Sequence, residues 1–277
     1  MRSTLSFEAP AAFGSAHSAL AAVRLGAAGA AAGWPVLLGR TVFYMLLLFV
    51  LTALWDKVSA ERLPGTLVRS LPAGGLALYI GVTEWIGLSV PAIHLRLEDD
   101  IRSGALEAHL LRPKAYLVQR IAEAVGAMLV RLAATGAAAL FMLPVSRRPW
   151  PPLAVLAALS IIGPLGAMVG ILLFTVAGLS AFWLRRTLPP FLIIQKLLFL
   201  LGGLFAPITL YPAWLARPAA VSPFAAHMFW PAELTLAPSA AGFARALAAQ
   251  TTWIALLIAL IVLIWRAGLR RVLRGDL

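Results

Sequence analysis

No cysteine occurs in the 277 residues, which excludes a disulfide framework, a thiol nucleophile and thiolate metal sites. Charge is scarce too: 12% of residues are Asp, Glu, Lys or Arg, about half the ~25% of an ordinary soluble domain. So little charge cannot cover a water-facing surface of this size, so a soluble helical protein is excluded. Acidic residues are scarcest, 11 against 23 basic. The four histidines, His17, His94, His109 and His227, fall at no metal-ligand spacing, so no metal site is expected. The net charge of +12 does not indicate nucleic acid, because the basic residues sit in short loops and form no continuous patch.

What remains is apolar. Hydrophobic residues make up 61% of the chain and the mean hydropathy is +0.91. About 20 apolar residues in helix cross a bilayer core. The sequence predicts an all-α integral membrane protein with six such helices, at about 34–55, 71–94, 118–145, 153–184, 189–211 and 251–266. Residues 1–33 form an N-terminal segment. Arg24 interrupts its Ala/Gly-rich stretch and Glu8 lies where a signal peptide would be positive, so it reads as an interfacial helix and not as a cleaved signal. Residues 212–250 are too rich in proline for a plain span yet apolar and aromatic at 219–236. They are expected to form an extracellular re-entrant helical hairpin between spans five and six, sheltered by protein. Residues 267–277 are a basic tail. With the N-terminus inside, Lys and Arg favour the inner loops about two to one, which places both termini in the cytoplasm.

Two charges fall where charge is expensive. Glu84 lies near the middle of the second span and Arg131 near the middle of the third. At 1.5 Å per residue both stand roughly 15–18 Å above the inner boundary. An intramembrane ion pair between them is expected, as a brace or as part of a substrate path. Arg40, Glu123 and Lys196 lie near helix ends, from which long basic side chains can reach the headgroups, and need no special function. Gly166 and Gly170 in the fourth span have the spacing that lets helix backbones approach closely, within the chain or between subunits.

The stretch after span two is dense in both charge signs. Ile101, Ala105 and Ala108 fall at helical spacing, as do Leu106 and Leu110. Gly104 permits a bend and Pro113 suits the first turn of the next helix. A short amphipathic helix flanked by charge is a surface for a soluble partner.

The run Asp100-Ile-Arg-Ser-Gly-Ala-Leu-Glu107, followed by Leu110-Leu-Arg-Pro113, resembles the permease subunits of type 2 ABC transporters. It is similar to the six-span branch whose loop reads Ile-Arg-Ser-Gly … Leu-x-Arg-Pro. The likeness extends to chain length, span number and the proline-rich hairpin. It implies that loop 95–117 is a coupling helix seated in a groove of a separate ABC ATPase dimer. Asp99, Asp100, Ile101, Arg102, Ser103, Gly104, Leu106, Leu110, Arg112 and Pro113 would be its contacts. The chain has no Gly-x-x-x-x-Gly-Lys-[Ser/Thr] phosphate loop, so ATP and Mg belong to the ATPase and this chain binds no cofactor. The resemblance also implies a second permease, identical or sister, a bacterial inner-membrane setting among lipid, and outward transport. No catalytic residues are expected. The rival readings are an ion-coupled secondary transporter, which would need more midplane acids and internal repeats, and a membrane scaffold.

Overall fold

The computed structural model describes residues 16–60, 75–106, 116–146, 148, 150–184, 186–204 and 206–274. Among these the regular structure is helical: α1 (Ala16–Ala32), α2 (Trp34–Ala60), α3 (Gly75–Ser89), α4 (Ile93–Arg102), α5 (Tyr116–Val145), α6 (Leu153–Leu179), α7 (Leu188–Leu201), α8 (Ala213–Ala220), α9 (Trp230–Glu233) and α10 (Ala240–Leu273). Five stretches are long and apolar enough to cross a membrane: Trp34–Leu54, Gly75–Arg102, Tyr116–Val145, Leu153–Phe182 and Ala240–Leu273. The chain is an all-α integral membrane protein.

The fifth expected span is the exception. Helix α7 has 14 residues, about 21 Å at 1.5 Å per residue, against a core of about 30 Å. It stops at Gly202, and Gly203 takes a φ of 71°, the left-handed region that glycine enters without steric cost. The Tyr79 hydroxyl donates to the Gly203 carbonyl at 2.6 Å and ties this turn to α3. The last helix begins at Ala240, so residues 240–250, expected in the hairpin, are its first turns. Ser239 caps it by accepting from the Gly242 amide at 3.0 Å.

Helices α3 and α6 form the buried centre, while α2 and α10 turn long apolar faces outward, among them Val36, Phe43, Phe49, Leu256 and Leu263. Glycines let α6 take bulky neighbours. A side chain at Gly163 would collide with Trp85, at Gly166 with the His227 carbonyl, at Gly170 with the His227 ring, and at Gly178 with His94 and Leu97. The expected Gly166/Gly170 packing face is therefore occupied from within the chain.

The segment after α7 is a compact hairpin. Its first arm, α8, ends in a turn held by two indoles: Trp230 Nε1 donates to the Ala220 carbonyl and Trp253 Nε1 to the Val221 carbonyl, both at 3.0 Å. The second arm passes through a wider π-helical turn, Ala225–Phe229, all five residues of which are buried. Pro231 accounts for the widening, since it has no N–H for the His227 carbonyl and its ring would crowd it. Burial raises the pKa of the Glu233 carboxyl, with Arg245 nearby acting in the opposite direction.

The N-terminal segment, expected at the membrane interface, contains the helix α1 and has a protein partner. A Cβ on Gly26 would fall on the Glu123 carbonyl, and one on Gly126 on the Val23 carbonyl. Helix α1 thus lies antiparallel along α5, backbone against backbone.

Candidate functional site

The site begins at a broken helix. Pro91 has no N–H to donate and its ring would clash with the Gly87 carbonyl, so α3 cannot continue. The chain turns through Val90–Ala92 and resumes as α4. Ile93, Leu97 and Ile101, spaced by four, share the buried face of α4. Leu95, Arg96, Asp99 and Arg102 lie on its exposed face, and the exposed run continues through Ser103 and Gly104. Gly104 has a φ of 71°, which sets the bend expected there.

Two carboxylates of α4 face inward and are occupied. Glu98 Oε2 accepts from the Thr187 amide at 2.8 Å and from the Thr187 hydroxyl at 2.5 Å, while Oε1 meets Arg102 at 3.3 Å. Thr187 is the residue before α7, so Glu98 supplies an anion at the N-terminus of that helix, where the peptide dipoles favour one. Asp100 Oδ2 accepts from the Tyr116 hydroxyl at 2.6 Å and from Arg120 Nε at 2.8 Å. Arg120 also pairs with Glu123 at 2.9 Å, and Tyr116 stacks on Trp265 of α10 with ring centroids 5.6 Å apart. The His94 ring stacks on Phe191 of α7 at 3.9 Å. Helix α4 is thereby fastened to α5 and α7 on one side and open on the other.

This divides the expected contact residues. Ile101 and Leu106, expected as contacts, are 5% and 1% exposed and pack in the chain's own core, Ile101 from the apolar face of α4. Asp100 is engaged by α5. Asp99, Arg102, Ser103 and Gly104 face outward. Leu110, Arg112 and Pro113 lie outside the described residues.

The expected Glu84–Arg131 ion pair is not formed. Among the described residues the ion pairs are Arg102–Glu98, Arg120–Asp100 and Arg120–Glu123. Arg131 instead donates to the Val90 carbonyl at 3.2 Å, and Arg40 donates to the Leu88 carbonyl at 2.6 Å. Both guanidinium groups turn to the carbonyls that the α3 break releases, for which a buried donor is the natural partner. Arg40 is thus engaged inside the bundle, where headgroup contact alone had been expected.

Two further features had no clear signal in the sequence. His227 is fully enclosed and its Nδ1–H donates to the Gly166 carbonyl at 2.7 Å, since a carbonyl can only accept. Gln250, also buried, donates to the Ile162 carbonyl at 2.9 Å. Between α2, α3, α5 and α6 lies a cavity of about 290 Å³, lined by Tyr44, Leu48, Val82, Trp85 and Leu143 and edged by Ser146 and Arg148.

A family model described as "ABC-2 family transporter protein" matches residues 77–273. No curated protein and no solved structure matches the chain.

Proposed function

Because the chain belongs to the ABC-2 family of transporter proteins, and so is the membrane permease of an ABC transporter, we propose that it is the translocation subunit of an ATP-driven exporter. It works with a second permease, identical or sister, and with a separate ATPase dimer that holds ATP and Mg. Its setting is the bacterial inner membrane with both termini in the cytoplasm, a reading supported by the excess of Lys and Arg in the loops on that side.

The observation that carries the coupling role is the two-sidedness of α4. Its outer face presents Arg96, Asp99, Arg102 and Ser103, a charged surface suited to a soluble partner. Its inner face is bolted to α7 through Glu98–Thr187 and to α5 through Asp100–Tyr116–Arg120. A push on the outer face therefore moves two other helices, and the interruption at Val90–Ala92 lets that unit swing against α3. Rigid displacement about a short hinge is an established way to carry a nucleotide-driven closure into a bundle.

Tagged purification from native membranes tests this. An ABC ATPase is expected to accompany the parent protein and to be lost from the double charge reversal Arg96→Glu/Asp99→Lys, which alters the exposed face and leaves the Glu98–Arg102 pair in place. Ile101→Asp is the wrong probe, because it buries a charge in the core. Recovery of folded parent alone under every nucleotide condition sinks the coupling proposal and moves the reading to an ion-coupled transporter or a scaffold.

A further inference from the structure

Helices α2, α3 and α5 share one interface, and two arginines meet inside it. Arg40 of α2 and Arg131 of α5 donate to the carbonyls of Leu88 and Val90, two residues apart at the same chain break. The two guanidinium groups are thus held at the same break. A guanidinium carries five N–H donors, and one from each group accounts for these bonds. A carbonyl supplies a dipole and no countercharge. Among the described residues no carboxylate forms an ion pair with either arginine. Two adjacent cations in membrane-spanning helices ask for an anion, because ionisable groups there pair with one another or mark a ligand path.

The chemistry of the anion follows from the donors. Planar forks bind carboxylate and phosphate oxygens in pairs, and two forks held at one break can share a tetrahedral oxyanion. The surroundings describe the rest of the molecule. Tyr44 lies four residues beyond Arg40 and Gly136 five beyond Arg131, roughly 6–8 Å along the same helices. Both line the cavity of about 290 Å³, near the small end of the ~300–1,000 Å³ range of ligand sites. Two of its lining side chains are fixed by hydrogen bonds, the Tyr44 hydroxyl donating to the Gly81 carbonyl and Trp85 Nε1 donating to the Leu132 carbonyl, each at 2.9 Å. Most of the remaining lining is apolar.

We propose that Arg40 and Arg131 form an intramembrane site for the phosphate-like head of an anionic amphiphile, with the adjoining cavity taking its apolar chain. The inference rests on the transport reading and gives it a substrate class.

The full-length protein in phosphatidylcholine nanodiscs is titrated calorimetrically with dodecyl phosphate, dodecanol and inorganic phosphate. Dodecyl phosphate should bind at one site and at least about tenfold more tightly than either of the other two. Equal binding of inorganic phosphate would make this a free-phosphate site and overturn the amphiphile; equal binding of dodecanol would remove the anion. Arg40→Gln and Arg131→Gln should each weaken dodecyl phosphate about tenfold or more. If either variant keeps its thermal midpoint and binds as the parent does, the arginines serve only to cap carbonyls and the proposal fails. Ala139→Phe, which fills the cavity and leaves the arginines in place, should weaken dodecyl phosphate and spare inorganic phosphate; an unchanged affinity also overturns the proposal. The titration needs no ATPase, so its failure leaves the coupling reading intact, and loss of ATPase recovery leaves this site intact.

Discussion

At the scale of single residues, Glu98 shows how a charge in a membrane protein is held. Its carboxylate takes two bonds from Thr187 and one from Arg102, and its side chain is 9% exposed. Charge-assisted bonds in such a place contribute about 1.5–3 kcal/mol each, and a buried donor left alone costs about 1–3. Glu98→Ala should therefore lower stability by about 2–4 kcal/mol, read as a drop in unfolding midpoint in detergent. Thr187→Val should cost less, because the backbone amide still donates, and the double variant should fall short of the sum. Additive losses would mean that the two residues do not act as a clamp. Nothing in the sequence linked positions 89 residues apart. The Glu84–Arg131 expectation went astray for a related reason: equal depth along two helices leaves direction around each axis undetermined. The cue was Pro91, whose effect on the carbonyls before it was readable in principle and decides where both arginines go.

At the scale of elements, hydropathy located the helices well and their ends less well. The third span was expected at 118–145, and the helix there, α5, runs Tyr116–Val145. The fifth was drawn too long, because Leu204, Ala206 and Ile208 keep the run apolar past the Gly202-Gly203 pair that ends α7. The face of α1 was hard to read because its working surface is made of absent side chains. A side chain at Gly126 would strike the Val23 carbonyl, whereas one at Gly29 would meet nothing within 4 Å. Gly126→Val should push α1 off α5 and open the exposed Arg24 to trypsin, at an overpacking cost of about 1–3 kcal/mol. Gly29→Ala should leave cleavage at the parent rate. Equal protection of both variants would show that the close approach is not needed to hold α1.

At the scale of the whole molecule, the proposed orientation can be read directly because the chain has no cysteine. Single cysteines therefore report without background. Helix α5 separates Ser103 at one end of the bundle from Trp150 at the other. In intact cells an impermeant maleimide should label Trp150→Cys and Ala237→Cys, both exposed, and should reach Ser103→Cys and Arg274→Cys only after permeabilisation. The reverse pattern would invert the topology and detach α4 from any cytoplasmic partner.

The pairing of α1 with α5 has a consequence for how the protein is made. Gly26 leaves the ribosome about 100 residues before Gly126, and at ~5–20 residues per second the first helix waits roughly 5–20 s for its partner. During that time its small-residue face waits without α5 to lie against, while α2 to α4 are synthesised. The N-terminus is thus synthesised first and seated late, so a chain stalled before residue 116 would display α1 as an unburied mark of an unfinished product.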